Sequence, residues 1–200
     1  LGIPDERWDE LIPARSTAAR FGPGGDDRTC PFTGGVNYLG LVEPALLDLA
    51  SNPFQVGNRI SGQIFFERPE DAPAGHPLRI PAGVAEIPHW DGQVRRVPYF
   101  LSEQLRYEGQ PLKFYPANIV WAARLSVILD QAIPALQEAY LATGETAYAA
   151  KLAVILRRFA RIMPALPLAD ANGVIPVTRA EFLAMPRPRG DAWRWRRPGC

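Results

Sequence analysis

The sequence predicts a mainly α-helical fold, and two consecutive segments carry that prediction. Residues 118–140 are strongly apolar at helical spacing. Gly144 then fits the left-handed position just past a helix end. The next segment, residues 148–162, has one apolar stripe and ends before Pro164. The pair is a helical hairpin whose apolar stripes require a further surface to cover them.

The sequence also predicts a kink in the first helix and an amphipathic second helix. Pro134 lacks the N–H that an α-helix needs, and its ring collides with the preceding turn, so the first helix should kink or divide there. The apolar stripe of the second helix comprises Tyr148, Leu152, Ile155, Leu156, Phe159 and Ile162. The basic residues on the rest of its circumference are Lys151, Arg157, Arg158 and Arg161. Positive charge in the last turns suits the negative end of the helix dipole.

The first part of the chain shows little regular structure. Asp5 is a candidate N-cap for a short helix that Pro13 stops. Residues 21–81 contain Gly and Pro every few positions, and their one β-like run is QIFF. Because this stretch has no long apolar face, it should consist of loops and short strands that lie over another surface.

Residues 83–101 predict a small β-hairpin. Asp91 and Gly92 form a hairpin-type turn pair between two arms of alternating residues. Pro88 and Pro98 lie on these arms, and proline cannot donate to a strand ladder. We therefore expect short or edge strands.

Composition indicates one domain without a general nucleic-acid surface. The chain has 200 residues, of which 47% are hydrophobic, enough for one core. The formal net charge is +1, but residues 185–200 contain five Arg and one Asp, which leaves 17 basic and 20 acidic residues elsewhere. The basic balance therefore belongs to the tail and not to the body of the chain.

The sequence predicts no cofactor and no metal. Cys30 and Cys200 are too few to indicate a redox compartment or a metal site, and His76 has no partner at metal-ligand spacing. Phosphate-loop and G-x-S-x-G patterns do not occur. No apolar run reaches the roughly 18 residues of a membrane span, and no signal peptide opens the chain. Because it begins at Leu1 and not at Met, we expect a fragment or a processed form.

Four short motifs, taken in order, resemble a known enzyme family. They are WDELIP at 8–13, CP-x-x-G at 30–34, NPFQV at 52–56 and AYLATGETAYAAKLAVILRRFARIMP at 139–164. Together they resemble the N-terminal part of heparinase II/III-like polysaccharide lyases over most of residues 5–164. Two departures stand out: Phe54 replaces the usual tryptophan, and residues 57–67 lack the motif that follows in the family.

The resemblance implies a fold and an activity. Residues 1–164 would be the N-terminal part of an (α/α) toroid, a ring of antiparallel helix pairs, and residues 165–200 an irregular, truncated tail. The implied activity is β-elimination on uronic-acid-containing polysaccharides, which needs donors for the sugar carboxylate and a Tyr or His base. The family places these groups on later helices and in a β-rich domain. We therefore expect an incomplete active site with unassigned catalytic residues, and a periplasmic or secreted location.

Five residues are candidates for contact with an acidic polysaccharide. His89 and Trp90 at the hairpin turn can hydrogen-bond to and stack on a sugar ring. Arg96 matches a carboxylate bidentately. Tyr107 lies near the approach to the first long helix, where the family lines its cleft with aromatic and polar groups, and the Asn118 amide suits a carboxylate.

Each candidate also has a purely structural interpretation. Turn residues such as His89 and Trp90 are commonly exposed without a ligand, and Arg96, like its neighbour Arg95, can be a solvated strand end. The phenols of Tyr99, Tyr107 and Tyr115 are suited to a core or its rim. Asn118 lies where a helix cap is favoured.

An opposing interpretation is a helical-hairpin, tetratricopeptide-like module for protein interaction. Tyr140, Gly144, Ala149 and Pro164 echo the spacing of that repeat. A solenoid needs about three stacked units, and the sequence contains no second copy. The tail interleaves Arg with Trp and would suit a membrane surface or nucleic acid. Its abrupt change of composition favours an altered C-terminus instead.

Overall fold

The computed structural model describes residues 1–13, 30–34, 47–58, 61–88 and 94–162, which form helices and two antiparallel sheets. In chain order the elements are α1 (Trp8–Leu11), β1 (Gln55–Gly57), β2 (Ile64–Phe66), β3 (Gly83–Pro88), β4 (Val94–Tyr107), β5 (Gln110–Phe114), α2 (Pro116–Val127), α3 (Ile133–Thr143) and α4 (Thr146–Ile162). Short 3₁₀ turns occupy Asp5–Arg7 and Pro69–Asp71, and a π-helical turn at Ile128–Ala132 joins α2 to α3.

The predicted toroid is wrong for this chain. The described residues contain a single hairpin of long helices, and the chain before it forms two antiparallel sheets instead of further helix pairs. Strands β1 and β2 form because the six residues 58–63 turn the chain back on itself and let the two short strands pair, so the Gly and Pro around them do not prevent a ladder. The long helix α2 then packs on these sheets and not on a second helix pair. The fold is mixed α+β.

The β-hairpin prediction is confirmed in its pairing and wrong in its length. Strand β3 pairs antiparallel with β4, with Glu86 opposite Arg96, and the predicted Asp91-Gly92 turn lies outside the described residues. Strand β4 has 14 residues and continues past β3 to pair with β5. Pro98 is tolerated because β4 at that point is paired with β3 and not yet with β5, which leaves one strand edge open.

Helix α2 lies between two hydrophobic clusters. The sheet-side cluster includes Val56, Phe65, Leu78, Phe100, Leu112 and Phe114, together with Ile119, Val120, Ala123 and Val127. The helix-side cluster comprises Trp8, Leu11, Ile12, Trp121, Leu125, Ile128, Ile155 and Ile162. A helix that is covered on two sides needs apolar residues around most of its circumference, which α2 has.

Pro134 interrupts the long helix without ending it. The α2 hydrogen-bond pattern widens to a π-helical turn just before α3, and Pro134 lies in the first turn of α3, where its missing N–H is tolerated. The continuous helix Pro116–Thr143 is long and apolar enough to cross a membrane by length and composition alone. The sequence prediction concerned an uninterrupted apolar run, whereas this helix reaches the limit on average hydropathy with charged residues inside it. Packing of α2 between two clusters accounts for the same composition.

The turn between α3 and α4 is as predicted. Gly144 has φ of 71°, in the left-handed region, and its N–H donates to the Tyr140 carbonyl at 2.8 Å. The apolar stripe on α4 is only partly covered, because Ile155 and Ile162 are buried while Leu156 is 47% exposed. Helices α1 and α3 pack against α4 and cover the buried part of its stripe.

Candidate functional site

Arg124 is the polar centre of the fold. Its Nε donates to the Leu11 carbonyl and its Nη1 to the Pro53 carbonyl, each at 2.9 Å. Nη1 also pairs with the Glu67 carboxylate at 2.5 Å. The side chain is fully buried, and its guanidinium lies 5.1 Å from the Phe54 ring centroid. A fully buried cation needs such partners to offset its loss of hydration.

Two basic residues of α4 attach the N-terminal segment to the helical hairpin. Arg158 donates to the Ile12 carbonyl at 2.7 Å and pairs with the Asp9 carboxylate at 3.1 Å. Lys151 donates to the Ile3 carbonyl at 2.7 Å and also pairs with Asp5. Unpaired carbonyls around α1 are therefore satisfied from α4. The sequence placed Lys151 and Arg158 on the polar side of the helix and gave them no partners. In the structure they hold the N-terminal segment against α4.

The CP-x-x-G motif is seated on the same core. The Gly34 N–H donates to the Cys30 carbonyl at 2.8 Å, which closes the motif as a turn. Ser102 Oγ donates to the Pro31 carbonyl at 2.5 Å from strand β4. The Phe32 ring lies 5.3 Å from that of Phe65, within reach for aromatic contact. The motif thus belongs to the sheet side of the molecule.

We call WDELIP (8–13), CP-x-x-G (30–34), PFQV (53–56) and the α3–α4 hairpin the motif framework. Arg124 links WDELIP to PFQV, Arg158 links WDELIP to the hairpin, and Ser102 bonds CP-x-x-G to strand β4. Sequence reasoning did not single out Arg124. A usable signal existed, since it is the one charged side chain in the apolar run from residue 116 to 129. Such an isolated charge in a buried helix predicts a paired structural or functional role.

The predicted polysaccharide contacts on the β-hairpin are separated by the structure. His89 and Trp90 lie outside the described residues. Arg96 lies on β4, opposite Glu86 on β3, with 3.8 Å between the Arg96 guanidinium nitrogen and a Glu86 carboxylate oxygen. Both side chains are well exposed, so the pair is weak and leaves the guanidinium accessible. Contact with a sugar carboxylate therefore stays a prediction for Arg96.

Tyr107 and Asn118 lie in different environments. Tyr107 is 43% exposed at the end of β4, beside the turn that Glu108 and Gly109 form with positive φ. Asn118 is only 2% exposed in the first turn of α2. The N-cap of α2 is Tyr115, so the capping role expected for Asn118 is wrong. The described fold does not bring these two residues together with Arg96 into one cleft.

Tyr99 and Tyr115, by contrast, are neighbours. Their ring centroids are 6.4 Å apart in an edge-to-face arrangement, and Lys113 Nζ lies 4.7 Å from the Tyr99 ring centroid. Burial raises the pKa of the Tyr115 phenol, and the proximity of Tyr99 adds to that shift. Tyr115 therefore keeps its proton at neutral pH and suits hydrogen-bond donation and not proton abstraction.

His76 has a structural role. Its Nδ1 accepts a hydrogen bond from the Leu78 N–H at 3.1 Å, and its ring lies edge-to-face with Phe66 at 5.2 Å. Burial lowers the pKa of His76 below its ordinary value, which favours the neutral ring that this acceptor role needs. In the part of the chain that the structure describes, no three His, Cys, Asp or Glu side chains are grouped to hold a metal ion.

An apolar groove of about 280 Å³ lies between the N-terminal segment and the helical hairpin. Its lining includes Ile3, Trp8, Leu136 and Tyr148, with Lys151 at its edge. Elsewhere on the same helical hairpin, Leu141 is 73% exposed. This surface is chemically unlike the tyrosine and lysine cluster on the sheet.

Comparisons with protein-family models, with curated proteins and with solved structures found no match.

Proposed function

We propose that this chain is part of a protein that cleaves uronic-acid-containing polysaccharides by β-elimination, and that its described residues supply framework and binding surface. The observation that carries the proposal is the motif framework. Three of the segments that resemble the lyase family are far apart in sequence, yet Arg124 of α2 bonds to both WDELIP and PFQV, and Arg158 of the helical hairpin bonds to WDELIP. The fourth, CP-x-x-G, is bonded to strand β4 by Ser102 and shares the sheet-side cluster with Val56 of PFQV.

This arrangement supports the resemblance, because segments that a family has in common are expected to pack on one core. Arg124 joins the opening WDELIP segment to PFQV, and Arg158 joins the same opening segment to the helical hairpin. The substitution of Phe54 for the family's tryptophan keeps an aromatic ring beside the Arg124 guanidinium, at 5.1 Å. The proposal needs no toroid, since the framework is built on α2 and the sheets.

The chemistry of β-elimination explains why a framework alone is not sufficient. The proton beside a sugar carboxylate becomes acidic enough for removal only when donors neutralise that carboxylate and a base stands nearby. Arg96 is an accessible donor. Tyr115, whose pKa is raised, is a poor base. The described residues therefore suit recognition of the substrate more than proton removal.

A two-part experiment tests the proposal. The chain itself is run in gels that contain polygalacturonate, alginate or heparan sulfate, where we expect slower migration in at least one acidic polymer. A longer form, encoded by the flanking DNA, is then incubated with the same polymers, and the absorbance of the unsaturated uronate product is followed. Absence of product with every polymer would refute the proposal.

A second function is favoured by one observation, the exposed apolar surface of the helical hairpin. Leu141 is 73% and Leu156 47% exposed, and the same two helices also line the apolar groove. Protein interaction through this hairpin is the alternative. Sedimentation of wild type and Leu141→Ser would support it if wild type self-associates, the variant does not, and the chain binds none of the acidic polymers.

A further inference from the structure

One face of the three-stranded sheet carries an aromatic and cationic cluster. Gly83 on β3 is opposite Tyr99 on β4, and Leu101 on β4 is opposite Lys113 on β5. Side chains two positions apart on a strand share a face, so Tyr99 and Leu101 lie on the same side. We call these four residues, together with Tyr115, the Tyr99–Lys113 face.

The two faces of this sheet are covered very differently. Phe100 and Phe114, which alternate with the residues above, are 6% and 2% exposed in the sheet-side cluster. On the Tyr99–Lys113 face, Leu101 is 45% exposed and Lys113 is exposed. The inner face is therefore core, and the other face is available to a ligand.

Tyr99 is held in place by its neighbours. A Cβ on Gly83 would lie 2.7 Å from the Tyr99 hydroxyl oxygen and 2.8 Å from two ring carbons, so the ring rests directly on the glycine backbone. Tyr115 supports it edge-to-face at 6.4 Å. An aromatic ring fixed in this way loses little conformational entropy when it binds a ligand.

Lys113 supplies the charge. Among the described residues no carboxylate pairs with its ammonium group, which lies 4.7 Å from the centroid of the Tyr99 ring. The flexible four-carbon stem of lysine allows the ammonium to turn from the ring to an incoming anion, which frees the ring face. Glu86, the acidic residue nearest on β3, projects from the opposite face with Arg96.

We propose that the Tyr99–Lys113 face binds a uronic acid unit of an acidic polysaccharide. The Tyr99 ring packs against the C–H face of the sugar, Lys113 pairs with the sugar carboxylate, and the protonated Tyr115 phenol donates a hydrogen bond to a sugar oxygen. The choice of ligand class rests on the proposed function, while the site itself rests on the geometry of the sheet.

The test is calorimetric titration of the chain with tetragalacturonate and with a neutral galactose tetramer of the same length. Lys113→Gln should weaken tetragalacturonate binding about tenfold, the factor expected for the loss of one charge-assisted contact. Arg157→Gln removes an equally exposed positive charge from α4 and should change the affinity less than twofold. Binding of the neutral tetramer should be weak and the same in all three proteins.

A second variant separates binding from stability. Tyr99→Leu should abolish measurable tetragalacturonate binding, while thermal unfolding shows whether the variant is folded under the assay conditions. Equal affinities for Lys113→Gln and Arg157→Gln would overturn the proposed site and leave the proposed function intact. The site also falls if the chain binds no tetragalacturonate while the longer form still cleaves uronate polymers. Failure of both binding and cleavage removes the proposed function as well.

Discussion

Helices α2 and α3 are two halves of one continuous helix, yet they have opposite relations to solvent. Of the 12 residues of α2, 11 are buried, whereas none of the 11 residues of α3 is buried. On average α3 is no less apolar than α2. The difference comes from position, because α2 lies between two clusters and α3 contacts little beyond α4 and the π-helical turn. Apolar composition makes burial favourable, and neighbouring elements decide whether it happens.

The largest expected change in stability comes from replacing Arg124, the buried arginine of α2. Arg124→Met removes the buried guanidinium that bonds to the Leu11 and Pro53 carbonyls and pairs with the Glu67 carboxylate. Removal of one partner from a buried pair typically costs about 3–5 kcal/mol. We expect a decrease of that size in the free energy of unfolding, measured by urea denaturation.

The matched control is Arg157→Met, which removes an exposed arginine from α4 and should change the unfolding free energy by less than about 0.5 kcal/mol. Similar losses in the two variants would contradict the assignment of Arg124 as the polar centre of the fold.

A direct comparison of the two helix halves uses the same truncation in each. Leu125 is 6% exposed in α2, and Leu141 is 73% exposed in α3. Leu125→Ala should lower the unfolding free energy by about 2–5 kcal/mol, because it opens a cavity in the helix-side cluster. Leu141→Ala should change it by less than about 0.5 kcal/mol. If both truncations cost the same, α3 is covered in solution and the comparison fails.

A smaller effect tests the turn that directs α4 back along α3. Gly144→Ala places a Cβ at φ of 71°, which costs about 1–2 kcal/mol for an L-residue. Gly144→Asn should lose less, because asparagine tolerates the left-handed region. Thermal unfolding of the three proteins is sufficient to rank them. A higher melting temperature for Gly144→Ala than for wild type would show that the turn is not maintained.

The smallest expected effect is the pH dependence contributed by His76. Burial lowers its pKa in the folded state, so the unfolded chain binds a proton more readily. This contribution to stability is complete above the unfolded pKa of about 6.5 and is lost as pH falls from there toward the lowered folded pKa. His76→Asn should flatten that part of the curve of unfolding free energy against pH. An unchanged slope in the variant would rule out the contribution.

Local signals predicted several elements well. Three features follow from short-range patterns in the sequence. They are the Gly144 turn, the helical hairpin that α3 and α4 form around it, and the antiparallel pairing of β3 with β4. Strand β2 lies within the predicted QIFF run, whereas β1 has only three residues, too few to show an alternating pattern in the sequence. The toroid prediction failed because helical periodicity does not identify the surface that a helix covers.

For the candidate sites too, the sequence predicted some properties and the packing decided others. The sequence indicated that tyrosines precede the first long helix, but alternation around the buried Phe100–Phe114 pair is what places Tyr99 and Lys113 together on the open face of the sheet. Arg96 is accessible as expected, whereas burial of Asn118 follows from the packing of α2. Exposure depends on neighbours that sequence spacing does not show.

By itself, the sequence determined the features that local chemistry controls. These are the left-handed turn at Gly144, the interruption of the helix at Pro134 and the amphipathic stripe of α4. Only the tertiary structure decided which apolar surfaces are covered and which charges are buried. The reason is that torsional preference acts between adjacent residues, whereas desolvation and hydrogen-bond satisfaction depend on groups brought together from distant parts of the chain. Arg124, joined to residues at positions 11, 53 and 67, is the clearest instance.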